Sequence, residues 1–177
     1  MRPASDRLIV GGIRLLSAFE HSGPARALVH HLKYRGLTNY LDLVTATLEG
    51  RLPSLPFVPV PRSISRTIRY GVDPALLLAS RLAHAKGTEV VRYLVSHPHS
   101  VRRAGGDHKN MVVPYRVRGL PQGSVLVVDD VFTTGATLDA AVRSLGLNRV
   151  QAAVVANVVP EVSNLLRPSA AHTKNQV

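Results

Sequence analysis

The 177-residue chain contains no cysteine and no tryptophan. Without cysteine there is no disulfide scaffold, no thiolate zinc site and no thiol nucleophile, and nothing calls for an oxidising compartment. Aromatic residues are scarce, three Phe and five Tyr, so the core has to be built from Leu, Val, Ile and Ala. Long apolar runs are missing too. Two stand out, Ser124 to Val128 and Ala152 to Val159, the second with Asn157 inside it. Both fall far short of the roughly 20 residues that a membrane-spanning helix needs. Arg2, Asp6, Arg7 and Arg14 break any signal-like apolar segment at the start. The expected location is the cytoplasm, with no membrane contact. Acids are also few, 11 against 22 Lys and Arg, which leaves a formal net charge of +11.

What is present is a globular composition. Hydrophobic residues are 45% of the chain and charged residues 19%, and the mean hydropathy is +0.09. These values exclude a disordered chain, a coiled coil and a collagen-like fibre. The length suits one domain with at most a small appendage. Only four of the 22 basic residues are Lys, at 33, 86, 109 and 174. Arg presents a planar fork suited to phosphate oxygens, so the surface favours polyanions such as nucleic acid, nucleotides or pyrophosphate.

The periodicities predict alternating strands and helices. Leu8 to Phe19, broken by Gly11-Gly12, reads as a short strand or two. Gly23-Pro24 opens a helix that stops at Gly36, and a second helix runs from about 39 to 49. Pro53 and Pro56 force an extended run, Phe57 to Pro61. Asp73-Pro74 is a helix start, an N-cap followed by Pro, and Gly87 ends that helix. Val90 to Val95 and Met111 to Val117 read as strands, with a polar, basic loop from Ser96 to Asn110 between them. Ser124 to Asp129 is a strand buried on both faces, followed by a glycine turn, a helix from about 137 to 145, and a strand from Arg149 to Val159. This order predicts an α/β fold with a mainly parallel sheet flanked by helices. In such sheets ligands bind beyond the carboxyl ends of the strands.

One segment has polar groups at that place: Val125-Leu126-Val127-Val128-Asp129-Asp130-Val131-Phe132-Thr133-Thr134-Gly135-Ala136-Thr137. A helix N-terminus has N–H groups without intrahelical acceptors and a positive dipole end, which suit a phosphate. The threonines add hydroxyl donors, and Gly135 lets the backbone wrap closely around an anion. Asp129 and Asp130 only accept hydrogen bonds, so they suit sugar hydroxyls, a divalent cation or a developing positive charge. Together they describe a site for a phosphorylated sugar with a free diol. A helix cap would need only one of these side chains. A nucleoside triphosphatase would need a G-x-x-x-x-G-K-[ST] loop, which is missing. A receiver domain would need a further Asp and a Lys on later strands, for which too little chain remains.

The segment resembles the ribose-5-phosphate signature of type I phosphoribosyltransferases. More of the chain, from about Phe19 to Val159, resembles one branch of them, the ComF family, linked by name to competence for DNA uptake. The matching residues are Phe19-Glu20-His21-Ser22-Gly23-Pro24 with Leu32-Lys33-Tyr34-Arg35-Gly36, then Val58-Pro59-Val60-Pro61 with the basic run after it, then Ala75-Leu76-Leu77-Leu78-Ala79 and Lys109-Asn110. The chain departs from the family in three places. It has no Cys-rich zinc segment. It reads Tyr70-Gly71-Val72-Asp73-Pro74 where the family shows Arg-Gly-Phe-Asn-Gln, and Gly105-Gly106-Asp107 replaces a Gln and an extra Arg.

The resemblance implies a type I phosphoribosyltransferase-like fold with three regions: a hood at 1–52, a core at 53–162 and a tail at 163–177. It implies phosphoribosyl pyrophosphate as donor, Mg2+ as cofactor and an unidentified, base-like acceptor. Asp129 and Asp130 would hold the ribose hydroxyls and help place Mg2+. Thr133, Thr134, Gly135, Ala136 and Thr137 would cradle the 5′-phosphate. Arg62, Ser63, Arg66 and Lys109 would face the pyrophosphate. Dimers are common among similar proteins, so a homodimer is one option, and the sequence leaves the oligomeric state open. Two other functions fit the same residues: a ribose-phosphate-binding regulator without turnover, and a DNA-uptake accessory that contacts single-stranded DNA through its basic surface.

Overall fold

Val125-Leu126-Val127-Val128, apolar at every position, forms the strand on which both faces of the sheet are built. The computed structural model describes residues 2–21, 38–62, 68, 71, 73–96 and 115–158. Within them the strands are β1 (Arg7–Leu8), β2 (Arg14–Glu20), β3 (Phe57–Pro59), β4 (Leu94–Ser96), β5 (Tyr115–Val117), β6 (Val125–Phe132) and β7 (Val150–Val158). The helices are α1 (Thr38–Leu48), α2 (Pro74–Lys86) and α3 (Ala136–Leu145). The helix expected after Gly23-Pro24, the residues Ser63, Arg66 and Lys109, positions 97–114 and the tail at 163–177 lie outside the described residues.

The main sheet has the order β1-β2-β7-β6-β3. β2, β7, β6 and β3 run parallel, and β1 is antiparallel to β2. The fold is therefore α/β with a mainly parallel sheet between helices. Residues 7–20 belong to the same sheet as β3, β6 and β7. Alternation along β6 sends Leu126 and Val128 to one side, where they pack with Tyr40, Leu41, Val44 and Leu48 of α1 and Leu78 and Leu82 of α2. It sends Val125 and Val127 to the other, against Leu138, Val142 and Leu145 of α3. Burying one such Leu or Val stabilises the fold by about 1.5–3 kcal/mol, so an all-aliphatic core suffices.

The helix boundaries follow local chemistry. Asp73 caps α2 by accepting the Leu76 N–H at 3.2 Å, and Pro74 occupies the first turn. Gly87 closes the helix in the left-handed region, φ 62°, which a residue with a Cβ resists. Asp73 has a second task. Its other carboxylate oxygen accepts the Arg62 backbone N–H at 3.4 Å and so ties the chain after β3 to the start of α2.

Two expectations need correction. Val90 to Val95 is not one strand: Val90 makes a single parallel bridge to Phe57, and the pairing strand is Leu94–Ser96. The chain leaves the main sheet between these points and forms an antiparallel ribbon, β4 with β5. Ser96 accordingly belongs to a strand and not to the loop after it. The buried strand also does not end at Asp129. It continues through Phe132, because β7 is nine residues long and keeps pairing with it as far as Phe132 and Val158.

Replacing Asp73 with Ala removes the α2 cap and the tether to Arg62. We expect a loss of about 1 kcal/mol in urea unfolding, with Asn restoring most of it. An unchanged midpoint for Asp73→Ala would contradict the capping role.

Candidate functional site

The site lies at the carboxyl ends of the parallel strands and arises from a difference in their lengths. β3 pairs with β6 only to Pro59 and Val128, followed by one more hydrogen bond from the Val60 N–H to the Val128 carbonyl at 2.8 Å. Pro61 then carries no N–H to continue the ladder. On its other side β6 stays paired with β7 for four more residues. Asp129 and Asp130 are the first two residues beyond the end of β3. They are half-buried within the strand.

Neighbouring residues in a strand point to opposite faces, so the two carboxylates diverge. Asp130 falls on the α1 and α2 side with Leu126 and Val128, and Asp129 on the α3 side with Val125 and Val127. The surrounding phenols register this separation. The Tyr40 hydroxyl is pushed above its ordinary range, first by burial and further by the charge of Asp130, although its hydrogen bond to Asn157 works the other way. The Tyr115 hydroxyl is pushed up by burial and by the charge of Asp129. Each carboxylate also accepts the N–H of the next residue, Asp130 at 2.8 Å and Val131 at 2.9 Å.

After Phe132 the chain turns through Thr133 and Thr134, both exposed, and enters α3 at Gly135. Gly135 is the N-cap residue at φ 82° and provides no side-chain cap. The first helical bond runs from the Asp139 N–H to the Gly135 carbonyl at 2.8 Å, so the earlier N–H groups have no intrahelical acceptor. Ala136 and Thr137 are exposed at this terminus. Neither Asp130 nor Thr133 caps the helix, which disposes of the capping explanation for the motif. Gly135 is also needed on steric grounds. A Cβ there would lie 2.9 Å from Cζ of Phe132, in a backbone region that side chains disfavour.

Arg62 stands half-buried just past the end of β3, its backbone held by Asp73. Ser63, Arg66 and Lys109, expected beside it, lie outside the described residues. The sequence reading missed a buried polar chain at the same end of the sheet. The Tyr40 hydroxyl donates to Oδ1 of Asn157 at 2.7 Å, and Nδ2 of Asn157 lies 3.4 Å from Nδ1 of His21. A signal was available: Asn157 is the only polar residue between Ala152 and Val159. No group of three or more His, Asp or Glu side chains suited to a metal occurs among the described residues. No described helix is long and apolar enough to cross a membrane.

No protein-family model matches the chain, and no curated protein matches it. Among solved structures, the chain is similar to the purine phosphoribosyltransferase from Pyrococcus horikoshii Ot3. The sequence identity is 16% and the TM-score 0.38, over 80% of this chain and 75% of that one.

Gly135→Ala places a Cβ against Phe132 at positive φ. We expect a stability loss of about 1–2 kcal/mol in urea unfolding. Shortening the ring in the double variant Gly135→Ala with Phe132→Leu should recover only the steric part. Full recovery would mean that the backbone conformation contributes nothing.

Proposed function

We propose that the chain is a phosphoribosyltransferase of the ComF type. On this reading it binds phosphoribosyl pyrophosphate with Mg2+ and transfers ribose 5-phosphate to an acceptor that is still to be identified. One observation carries the reading: an acidic pair at the end of a buried parallel strand runs directly into a hydroxyl-rich turn with an uncapped helix N-terminus. The turn at Thr133–Thr137 would hold the 5′-phosphate through backbone N–H groups and hydroxyls. The two acids would each take a ribose hydroxyl. Because they leave the strand on opposite faces, the sugar would lie against the edge of β6 where β3 has stopped, with one carboxylate reaching it from each side. Arg62 would face the pyrophosphate, joined by Ser63, Arg66 and Lys109.

In this reaction the C1–oxygen bond to pyrophosphate breaks, a bond from C1 to the acceptor forms, and the acceptor loses a proton. The transition state carries positive charge on the sugar ring. Asp129 and Asp130 would stabilise that charge, and no covalent nucleophile is needed. Two diverging carboxylates do not make an all-protein cage, which fits a Mg2+ that takes most of its ligands from substrate oxygens and water. When bound, Mg2+ would offset charge on the departing pyrophosphate.

Calorimetric titration with phosphoribosyl pyrophosphate should show saturable binding that depends on Mg2+. Asp130→Asn should weaken it at least tenfold with an unchanged melting temperature, since a charge-assisted contact contributes about 1.5–3 kcal/mol. Binding with no pyrophosphate release for any base tested would favour a ribose-phosphate-binding regulator. No binding to the folded wild-type protein would overturn the reading.

A further inference from the structure

Phe132 is the last residue but not an idle end of β6. It pairs with Val158, the last residue of β7. Its half-buried side chain packs against the apolar cluster that includes Val60, Leu138, Val142 and Val158. The ring also meets the turn that follows it. A Cβ built on Gly135 lies 2.9 Å from Cζ and 3.0 Å from Cε2 of Phe132. Apart from the glycine's neighbours in the chain, no other atom of the described residues comes within 4 Å of that point. Closeness to two adjacent ring atoms and no third is an edge contact, since an atom above the ring face would approach more of them. The edge of the Phe132 ring therefore stands against Gly135.

Little else among the described residues holds this turn. Thr133, Thr134, Ala136 and Thr137 are exposed, and the next buried side chain is Leu138. No side chain caps α3, and Asp139, the acid in its first turn, is engaged by Arg143 at 2.9 Å. Glycine has the greatest backbone freedom of any residue. Yet the Gly135 carbonyl accepts the first helical bond, from the Asp139 N–H at 2.8 Å, so the conformation of Gly135 sets where α3 begins. The ring edge is what restricts it.

The next step rests on the function proposed above, which gives the 5′-phosphate to the free N–H groups of this turn. We propose that Phe132 is a positioning residue for that phosphate: its ring edge holds Gly135, and with it the start of α3, in one arrangement before the ligand arrives. Phe132 acts through Gly135 and touches no ligand itself. It also ties the turn to the strand that bears Asp129 and Asp130. A turn that is already ordered binds without the loss of backbone freedom that a mobile one incurs.

The order can be read without any ligand, in the whole protein labelled with 15N. Backbone order parameters at Thr134 to Thr137 should match rigid backbone, about 0.85, and in Phe132→Leu should fall below about 0.6. Val125 to Val128 should keep the rigid value in both. A turn that is mobile in the wild type, or that stays ordered in Phe132→Leu, would overturn the proposal. Phe132→Met, whose unbranched chain reaches nearly as far but is not rigid, should give intermediate values. It serves if Phe132→Leu does not fold, and wild-type order in it would then overturn the proposal.

Binding is tested by titrating inorganic phosphate and, separately, ribose 5-phosphate with Mg2+. Both should bind the wild type. Phe132→Leu should weaken both about tenfold, the cost of ordering roughly one residue's backbone on binding, and Phe132→Met should recover part of the loss. Unchanged affinities in folded Phe132→Leu would overturn the role of Phe132 alone. So would weaker ribose 5-phosphate binding with inorganic phosphate unaffected, which would move the effect to the acids. Failure of both ligands to bind the folded wild type would overturn the proposed function, and the positioning role with it, while the order-parameter result stood.

Discussion

The structure depends on the parallel ladder between β6 and β7. β6 is apolar from Val125 to Val128 and β7 from Ala152 to Ala156, and these residues are buried on both faces, so their pairing supports the core on each side of the sheet. Truncating Leu126, fully buried in β6, to Ala costs about 2–5 kcal/mol. That central pair also outlasts its neighbour. β3 stops at Pro59, and Pro61 keeps it from resuming, while β6 and β7 run on to Phe132 and Val158. Asp129 and Asp130 stand, half-buried, where β6 has run past the end of β3. The same rigid ladder holds the turn that follows. The site is therefore built on strands fixed by the core and needs no separate support.

Asn157 shows how the fold ties its first segment to this edge. A buried carboxamide costs free energy unless both its ends are satisfied. Tyr40 and His21 engage them, and they come from α1 and from the end of β2. Burial, and after it the negative charge of Asp130, pushes the Tyr40 hydroxyl above its ordinary range, so it stays protonated and able to donate, although its bond to Asn157 works the other way. The Tyr40 hydroxyl donates to Oδ1 of Asn157, which places the amide nitrogen on the side of His21. A hydrophobic residue at 157 would suit the strand equally well but would leave the Tyr40 hydroxyl without its acceptor.

Much of this was legible in the sequence because local chemistry determined it. The run Val125 to Val128 fixed a central strand, and Asp73-Pro74 with Gly87 fixed both ends of α2. Thr133 to Thr137 gave the position of the turn and helix. The extension of β6 past its acids was not legible, because it depends on the length of β7, a partner distant in sequence. Nor was the departure of the chain after Val90 into a ribbon with β5, since short apolar runs do not declare which strand they will pair with. Tyr40 and His21 were unreadable for the same reason: only the fold brings them to Asn157. The divergence of the two acids followed from strand alternation, but only once they were known to lie inside a strand.

The central claim is that the part of β6 beyond the end of β3 and the turn after it form one ligand site. Titrating the isotopically labelled protein with ribose 5-phosphate and Mg2+, and following its backbone amide resonances, tests this most directly. The account predicts saturable changes concentrated at Asp129 to Thr137, with the opposite ends of the strands, at Gly123 to Val125 and Leu147, unaffected. Changes centred elsewhere, or no saturable change at all, would contradict it.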